Sequence, residues 1–273
     1  MKTLLITGAN GFLGYRTAIR YKNKYHVVAL THHELDITNA LSVMQTFDIV
    51  HPDFVIHCAA ISNPSTAERH PELAQKVNVD GTVNIAHACL AHKAKLLFMS
   101  SDQVYNGTKQ RGALTEGTPL APTDVYGRNK MEAEKQVFEL LPSAVALRLT
   151  WMYDAPDSDK VNTNILTLLL DAYKTKKPLL VSTNEYRGFT DVNSVVENFE
   201  KCFDIPGGAY NFGAENDDNC YNTFLKFARK MNLPNAEQWI HPNDSLPFCN
   251  ISMNTQKISN FIDNFQSSLL FDV

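Results

Sequence analysis

Residues 2–7, Lys-Thr-Leu-Leu-Ile-Thr, form a short apolar run that breaks into Gly8-Ala9-Asn10-Gly11-Phe12-Leu13-Gly14, after which a helical pattern runs to about Tyr21. Strand, glycine-rich turn and helix N-terminus in that order commit the chain to a β–α unit with a ready anion site. Glycines let the backbone approach a pyrophosphate, and the free N–H groups of the helix start point at it. The spacing is Gly-x-x-Gly-x-x-Gly rather than Gly-x-Gly-x-x-Gly, and an ordinary tight strand–helix turn would use the same glycines. The flanking β and α patterns favour a nucleotide.

The same grammar repeats. A second strand over His26–Leu30 ends in Thr31-His32-His33, with no acid until Glu34. An acid at that strand end would hold the ribose 2′-OH of NAD, whereas an uncharged or weakly basic end admits a 2′-phosphate and leans toward NADPH. His32 and His33 read as exposed loop histidines, and without a third ligand at metal spacing no metal is expected. Leu41–Phe47 reads as helix, Asp53–His57 as a buried strand ending in Cys58-Ala59-Ala60, and Pro71–His92 as one long helix. Lys95–Met99 is the next strand, ending at Ser100-Ser101-Asp102, and Ala144–Leu149 another. Strands alternating with helices predict a parallel, doubly wound α/β sheet of Rossmann type. A hydroxyl at a strand's C-terminal end, such as Ser101, lies in the crevice where such sheets bind ligands; capping a turn is the commoner use of Ser-Asp.

Between those last two strands lies Tyr126-Gly127-Arg128-Asn129-Lys130, opened by Pro122-Thr123-Asp124. Residues four apart on a helix share a face, so phenol and ammonium point the same way. A neighbouring lysine and a helix N-terminus both favour the phenolate, so the pair predicts a tyrosine of lowered pKa, a proton donor and acceptor for an alcohol or ketone. Alone the pair is common on surfaces; the motifs before it give it meaning.

After about residue 150 the grammar changes. Trp151–Lys160 reads as a polar loop, Asn164–Lys174 as a helix, Pro178–Val181 as a strand, Asp191–Phe203 as an amphipathic helix, Gly208–Phe212 as a strand and Tyr221–Met231 as a helix; the tail carries a weak helical pattern near 254–264. The expected division is 1–155 for the NAD(P)-binding part and 156–273 for a small C-terminal substrate-binding lobe interleaved with the last sheet elements. A net charge of −4 argues against binding nucleic acid through its phosphates. No apolar run is long enough for a membrane span, and five scattered cysteines without a Cys-x-x-Cys fit a reducing cytoplasm.

The ordered set resembles the extended short-chain dehydrogenase/reductase superfamily, and within it the dTDP-4-dehydrorhamnose reductases. The carrying residues are Glu34–Thr38, His51–Ala60, Val77–Asn84, Ser100–Gly107, Tyr126–Lys130 and Arg148–Tyr153. The resemblance implies an NAD(P)-dependent reductase of a nucleotide-linked 4-keto sugar. Gly8, Gly11 and Gly14, with the backbone of Asn10, Phe12 and Leu13, would hold the pyrophosphate. Asp36 and Ile37 would sit at the adenine, and Ala59 and Ala60 along the ribose and phosphates. Thr31, Cys58 and Ser100 complete the cofactor set. Ser101 would donate a hydrogen bond to the substrate carbonyl, Tyr126 a proton, and Lys130 would hold the nicotinamide ribose. Gln103 and Trp151 fall on the sugar side, and Arg187 is the candidate for a substrate phosphate contact. The pattern departs from the family at Gln103 and Asn106, at Asp154 in place of a glycine, and at Phe189 in place of a proline. Two other readings remain: an epimerase or dehydratase that recycles its nucleotide, and a regulatory subunit like the β subunit of methionine adenosyltransferase. The resemblance leaves a homodimer open.

Overall fold

In the computed structural model, which describes residues 1–154, 162–262 and 265, strand and helix alternate from the start. β1 (Thr3–Thr7) runs into α1 (Phe12–Tyr21), followed by β2 (His26–Leu30), α2 (Ala40–Val50) and β3 (Phe54–His57). α3 (Pro64–Arg69) and α4 (Pro71–Gln75) lead through a π-helical turn at Lys76–Asp80 into α5 (Gly81–His92). The helix expected over Pro71–His92 is therefore interrupted by one wide turn. That turn carries the buried Asn78 side chain, which accepts from Ile61 N at 2.8 Å and donates to Ile61 O at 3.0 Å, pinning the loop after β3. Wide turns of this kind gather at functional sites.

β4 (Lys95–Ser101), a 3-10 turn at Asp102–Tyr105, α6 (Val125–Leu140) and β5 (Val145–Leu149) complete the first half. The second half supplies β6 (Trp151–Tyr153), α7 (Ile165–Thr175), β7 (Leu179–Ser182), β8 (Glu185–Arg187), β9 (Phe189–Asp191), α8 (Val192–Asn198), β10 (Gly208–Phe212), α9 (Cys220–Lys230), β11 (Ile240–Asn243), β12 (Cys249–Ile251) and α10 (Gln256–Ser259). Trp151–Tyr153, expected in a loop, is a strand because it pairs with Phe189–Asp191. The rest of that loop and the proposed boundary between 155 and 156 lie outside the described residues. The helix expected over Asp191–Phe203 ends at Asn198, and a 3-10 turn follows at Glu200–Asp204.

Six strands form one parallel sheet in the order β2-β1-β3-β4-β5-β10. Its inner strands β1, β3, β4 and β5 are buried on both faces, as in parallel sheets generally, while the edge strand β2 is only part-buried. Leu4 and Ile6 of β1 enter one core with α1 and α8, while Leu5 faces α2, α5 and α6 on the other side. Strand direction reverses its walk between β1 and β3, and ligands of such sheets bind at the carboxyl ends of the strands there. β6–β9, β7–β11 and β8–β12 are separate parallel ribbons, and around two of them a third core forms on Phe189, Phe224 and Phe227. Among the described residues no helix is long and apolar enough to cross a membrane.

Candidate active site

At the switch point the turn after β1 meets the turn after β3. Gly8 has φ +67°, and a Cβ there would lie 2.7 Å from Ala59 N; one on Gly14 would lie 2.4 Å from Gly8 O. Both positions therefore exclude any side chain, while α1 opens at Phe12 with exposed Gly11 as its N-cap. Thr7 Oγ1 bonds Ala59 N at 3.3 Å, which ties the two turns together. The small residues and free helix N-terminus make a backbone-lined cradle that fits a dinucleotide pyrophosphate.

The outer sequence-predicted cofactor residues divide. Thr31 N and Oγ1 both donate to Glu34 Oε2 at 2.8 Å, so the first acid of this turn folds back onto the end of β2. Asp36 is exposed, its carboxylate accepting from Thr38 N and Oγ1, bonds that hold its pKa below the usual range. Ile37 is buried in the core and packs toward Gly81, and its carbonyl accepts from Asn84 Nδ2 at 3.0 Å. Ser100 is turned away: its hydroxyl donates to Glu134 Oε1 at 2.5 Å. Glu134 also takes Arg148 Nη2 at 2.6 Å, and Arg148 Nη1 bonds Tyr105 OH at 2.5 Å. This buried network fixes α6 on β4 and β5.

Ser101, Tyr126 and Lys130 do converge. Asp124 caps α6, accepting from Gly127 N at 2.6 Å, and Asn106 in turn bonds Asp124 Oδ2 at 2.5 Å and Thr123 N at 2.7 Å. Gly127 lets the Gln103 turn lie on the helix, since a Cβ there would be 2.5 Å from Gln103 O. Tyr126 thus sits in the first helical turn, where the Ser101 hydroxyl acts on its phenol. Lys130 Nζ lies 5.7 Å from the centre of its ring and donates to Met99 O at 2.7 Å. Burial pushes the phenol up, the Ser101 hydroxyl lowers it, and Asp102 and Asp124 raise it. The lowering expected from Lys130 is not among these causes; desolvation dominates and keeps the Tyr126 phenol neutral. Burial also brings Lys130 down to about 8, against the pull of Cys58 and Glu134.

Ser101 ends β4 and caps the turn that follows. Its Oγ accepts from Gln103 N at 3.2 Å as the cap of the 3-10 turn, and it donates to Asp102 Oδ1 at 3.2 Å. Across the crevice, Trp151 packs at a tilt against Phe189, ring centres 5.5 Å apart, and the Arg187 guanidinium lies over the Trp151 ring at 5.2 Å. Arg187 is paired with Asp102 and Glu185. The family departures find partners too. Phe189 is wholly buried in the lobe core, and Asp154 takes Arg16 Nε at 2.8 Å and Asn193 Nδ2 at 3.3 Å. Asp102, Asn78 and Glu134 were passed over as site residues by sequence reasoning. Asp102, beside Ser101, and Asn78, within Val77–Asn84, lay in the quoted motifs; Glu134 had no such signal.

Residues 1–219 match the family described as RmlD substrate binding domain. The chain belongs to that family. A dTDP-4-dehydrorhamnose reductase of Aggregatibacter actinomycetemcomitans is 33% identical over 224 residues, 79% of this chain and 74% of that one. Other dTDP-sugar reductases align over about half of their own length. A methionine adenosyltransferase 2 subunit beta from Xenopus laevis is 28% identical over 247 residues, 85% of this chain and 73% of that one. Among solved structures, the dTDP-4-dehydrorhamnose reductase of Bacillus anthracis in complex with NADP superposes with a TM-score of 0.87, covering 98% of this chain and 95% of that chain at 24% identity. The Rossmann-type architecture of the RmlD relatives is therefore that of this chain.

Proposed function

We propose that this chain is an NAD(P)-dependent reductase of a nucleotide-linked 4-keto sugar. The observation that carries the reading is the meeting of Ser101, Tyr126 and Lys130 beside the Gly8–Ala59 cradle. In this proposal Gly8, Gly11, Gly14 and the backbone of Asn10, Phe12 and Leu13 hold the pyrophosphate. Thr31, Asp36 and the Ile37 backbone take the adenosine end, and Cys58, Ala59, Ala60 and the backbone of Ser100 line the middle. Lys130 holds the nicotinamide ribose. Bound nicotinamide supplies a hydride to the sugar's carbonyl carbon. Ser101 donates a hydrogen bond to the carbonyl oxygen, and Tyr126, held neutral by burial, gives that oxygen its proton. Gln103 and Trp151 face the sugar.

The division into a cofactor part over 1–155 and a smaller lobe over 156–273 belongs to the same proposal, as does a homodimer, which light scattering on purified protein checks. Five free cysteines support a reducing cytoplasm as its location. The adenosyltransferase-subunit relatives favour a second reading, a nucleotide-binding regulatory subunit. Calorimetry with NADPH and NADH on nucleotide-stripped protein, then turnover of a panel of nucleotide 4-keto sugars, separates the two. Binding with turnover of one sugar is expected; binding with no turnover across the panel and a stable co-purifying partner would establish the regulatory role. Retained NAD in freshly purified protein, seen by absorbance, would point instead to an epimerase.

A further inference from the structure

β8 brings the small lobe against the strand that ends in Ser101. Arg187 Nη2 lies 3.1 Å from Asp102 Oδ2, with the two side chains 16% and 3% exposed. Nη1 reaches Glu185 Oε1 at 3.3 Å, and Nε is buried with no hydrogen-bond partner among the described residues. On its other oxygen, Asp102 accepts from Ser101 Oγ at 3.2 Å and Gln103 Nε2 at 3.4 Å. The Ser101 hydroxyl in turn acts on the Tyr126 phenol, whose pKa it lowers. A continuous polar chain therefore runs from the lobe to the hydroxyl that acts on Tyr126: Arg187, Asp102, Ser101.

Resting on the reductase reading, we propose that the Asp102–Arg187 pair is a positioning device through which the small lobe sets the orientation of the Ser101 hydroxyl. Ser101 has one hydrogen, and a buried carboxylate next to it is the strongest acceptor in reach. Left without a cation, Asp102 would hold that hydrogen and keep it from the substrate carbonyl. The guanidinium draws the carboxylate's charge toward the lobe, so that the hydroxyl can turn to a ligand when one arrives. A diphosphate contact needs a guanidinium fork open to the crevice, whereas both terminal nitrogens of Arg187 already meet carboxylates. Positioning thus replaces phosphate binding as the role proposed for Arg187.

The test compares Asp102→Asn, Arg187→Met, their double variant and Arg187→Lys. It reads kcat and KM for the keto sugar, the NADPH Kd by calorimetry, and hydrogen exchange of the Gln103 amide, which Ser101 accepts. Each single change should lower kcat about 100-fold, the scale of a misplaced catalytic group, with KM and Kd moving less than about threefold. The double variant should be no worse than either single, because both act through one contact, and Arg187→Lys should recover part of the loss. A raised KM with kcat kept in Arg187→Met, and an unaffected Asp102→Asn, would overturn the proposal in favour of a substrate contact. Additive losses would overturn it as well. If the unaltered chain binds NADPH and turns over no sugar, the reductase reading fails by itself. The Gln103 amide then decides alone: faster exchange in both single variants supports the positioning link, and unchanged exchange removes it.

Discussion

Gly8 and Ala59 close the cofactor side of the crevice as backbone against backbone, while Asp102 and Arg187 close the other side as side chain against side chain. The first contact admits no Cβ at Gly8 and needs beside it only the Thr7 hydroxyl on Ala59 N, so it rests mainly on backbone. The second depends on two particular long-range partners, 85 residues apart, either of which a single substitution removes. A site made this way keeps its cofactor while its substrate changes. The chains related to this one by fold or sequence are named as reductases, epimerases and adenosyltransferase subunits, so one fold carries several named functions.

The largest effect expected on either side is chemical. Tyr126→Phe removes the proton donor and leaves the ring, so turnover should fall about 1,000-fold, within the usual range for general acid catalysis. NADPH affinity by calorimetry should hold, since the cradle is backbone. Turnover within threefold of the unaltered chain would break the assignment of Tyr126, and the regulatory reading would take its place.

Phe189→Ala acts on the other half. Phe189 is fully buried against Trp151, Phe224 and Phe227, and truncation of such a ring costs about 3–5 kcal/mol. Thermal unfolding should show the loss, with KM for the sugar rising through Trp151 and NADPH binding retained at low temperature. Equal loss of NADPH binding would mean the two halves are one cooperative unit. This residue also marks where sequence reading ran out. The cofactor half was legible because Leu4–Ile6, Phe54–Ile56 and Leu96–Met99 are apolar runs punctuated by glycine, alanine and serine. The lobe's strands are three or four residues long, too short to show a period, and their pairing joins segments far apart in the chain. The direction of the Tyr126 shift was missed for a related reason. A neighbouring lysine is visible in the sequence, whereas burial is a property of the finished fold.

Acid should damage the cofactor half first. His57, on β3, places Nδ1 2.7 Å from Thr7 Oγ1 and Nε2 3.1 Å from Thr82 Oγ1. Burial, and then the Lys130 cation, lower its pKa from 6.5 to about 3. The folded value lies below the unfolded one, so below pH 6.5 the unfolded chain binds the proton more readily and stability drops as the pH falls. The His57 share of that slope is about 1.4 kcal/mol per pH unit, and it vanishes above pH 6.5. Urea unfolding of His57→Gln beside the unaltered chain should give curves that run parallel above pH 6.5 and converge below it. Curves parallel throughout would show that His57 is not held neutral by the fold.

The smallest effect concerns the seam where the second half returns to the first. Lys24 Nζ meets Glu200 Oε2 at 2.5 Å, with side chains 62% and 31% exposed, and Tyr25 OH donates to Glu200 Oε1 at 2.6 Å. So exposed an ion pair contributes less than about 1 kcal/mol and weakens further as salt screens it. Lys24→Ala should therefore shift urea unfolding barely, and less at high ionic strength. Beneath that pair Tyr21 OH donates to Val196 O at 2.7 Å and accepts from Glu200 N at 3.1 Å, and those buried bonds with the apolar face of α8 hold the seam. A loss from Lys24→Ala above about 2 kcal/mol, insensitive to salt, would contradict the surface range. It would make this pair a second side-chain lock, and the contrast between a backbone-closed and a side-chain-closed half would no longer follow the two sides of the crevice.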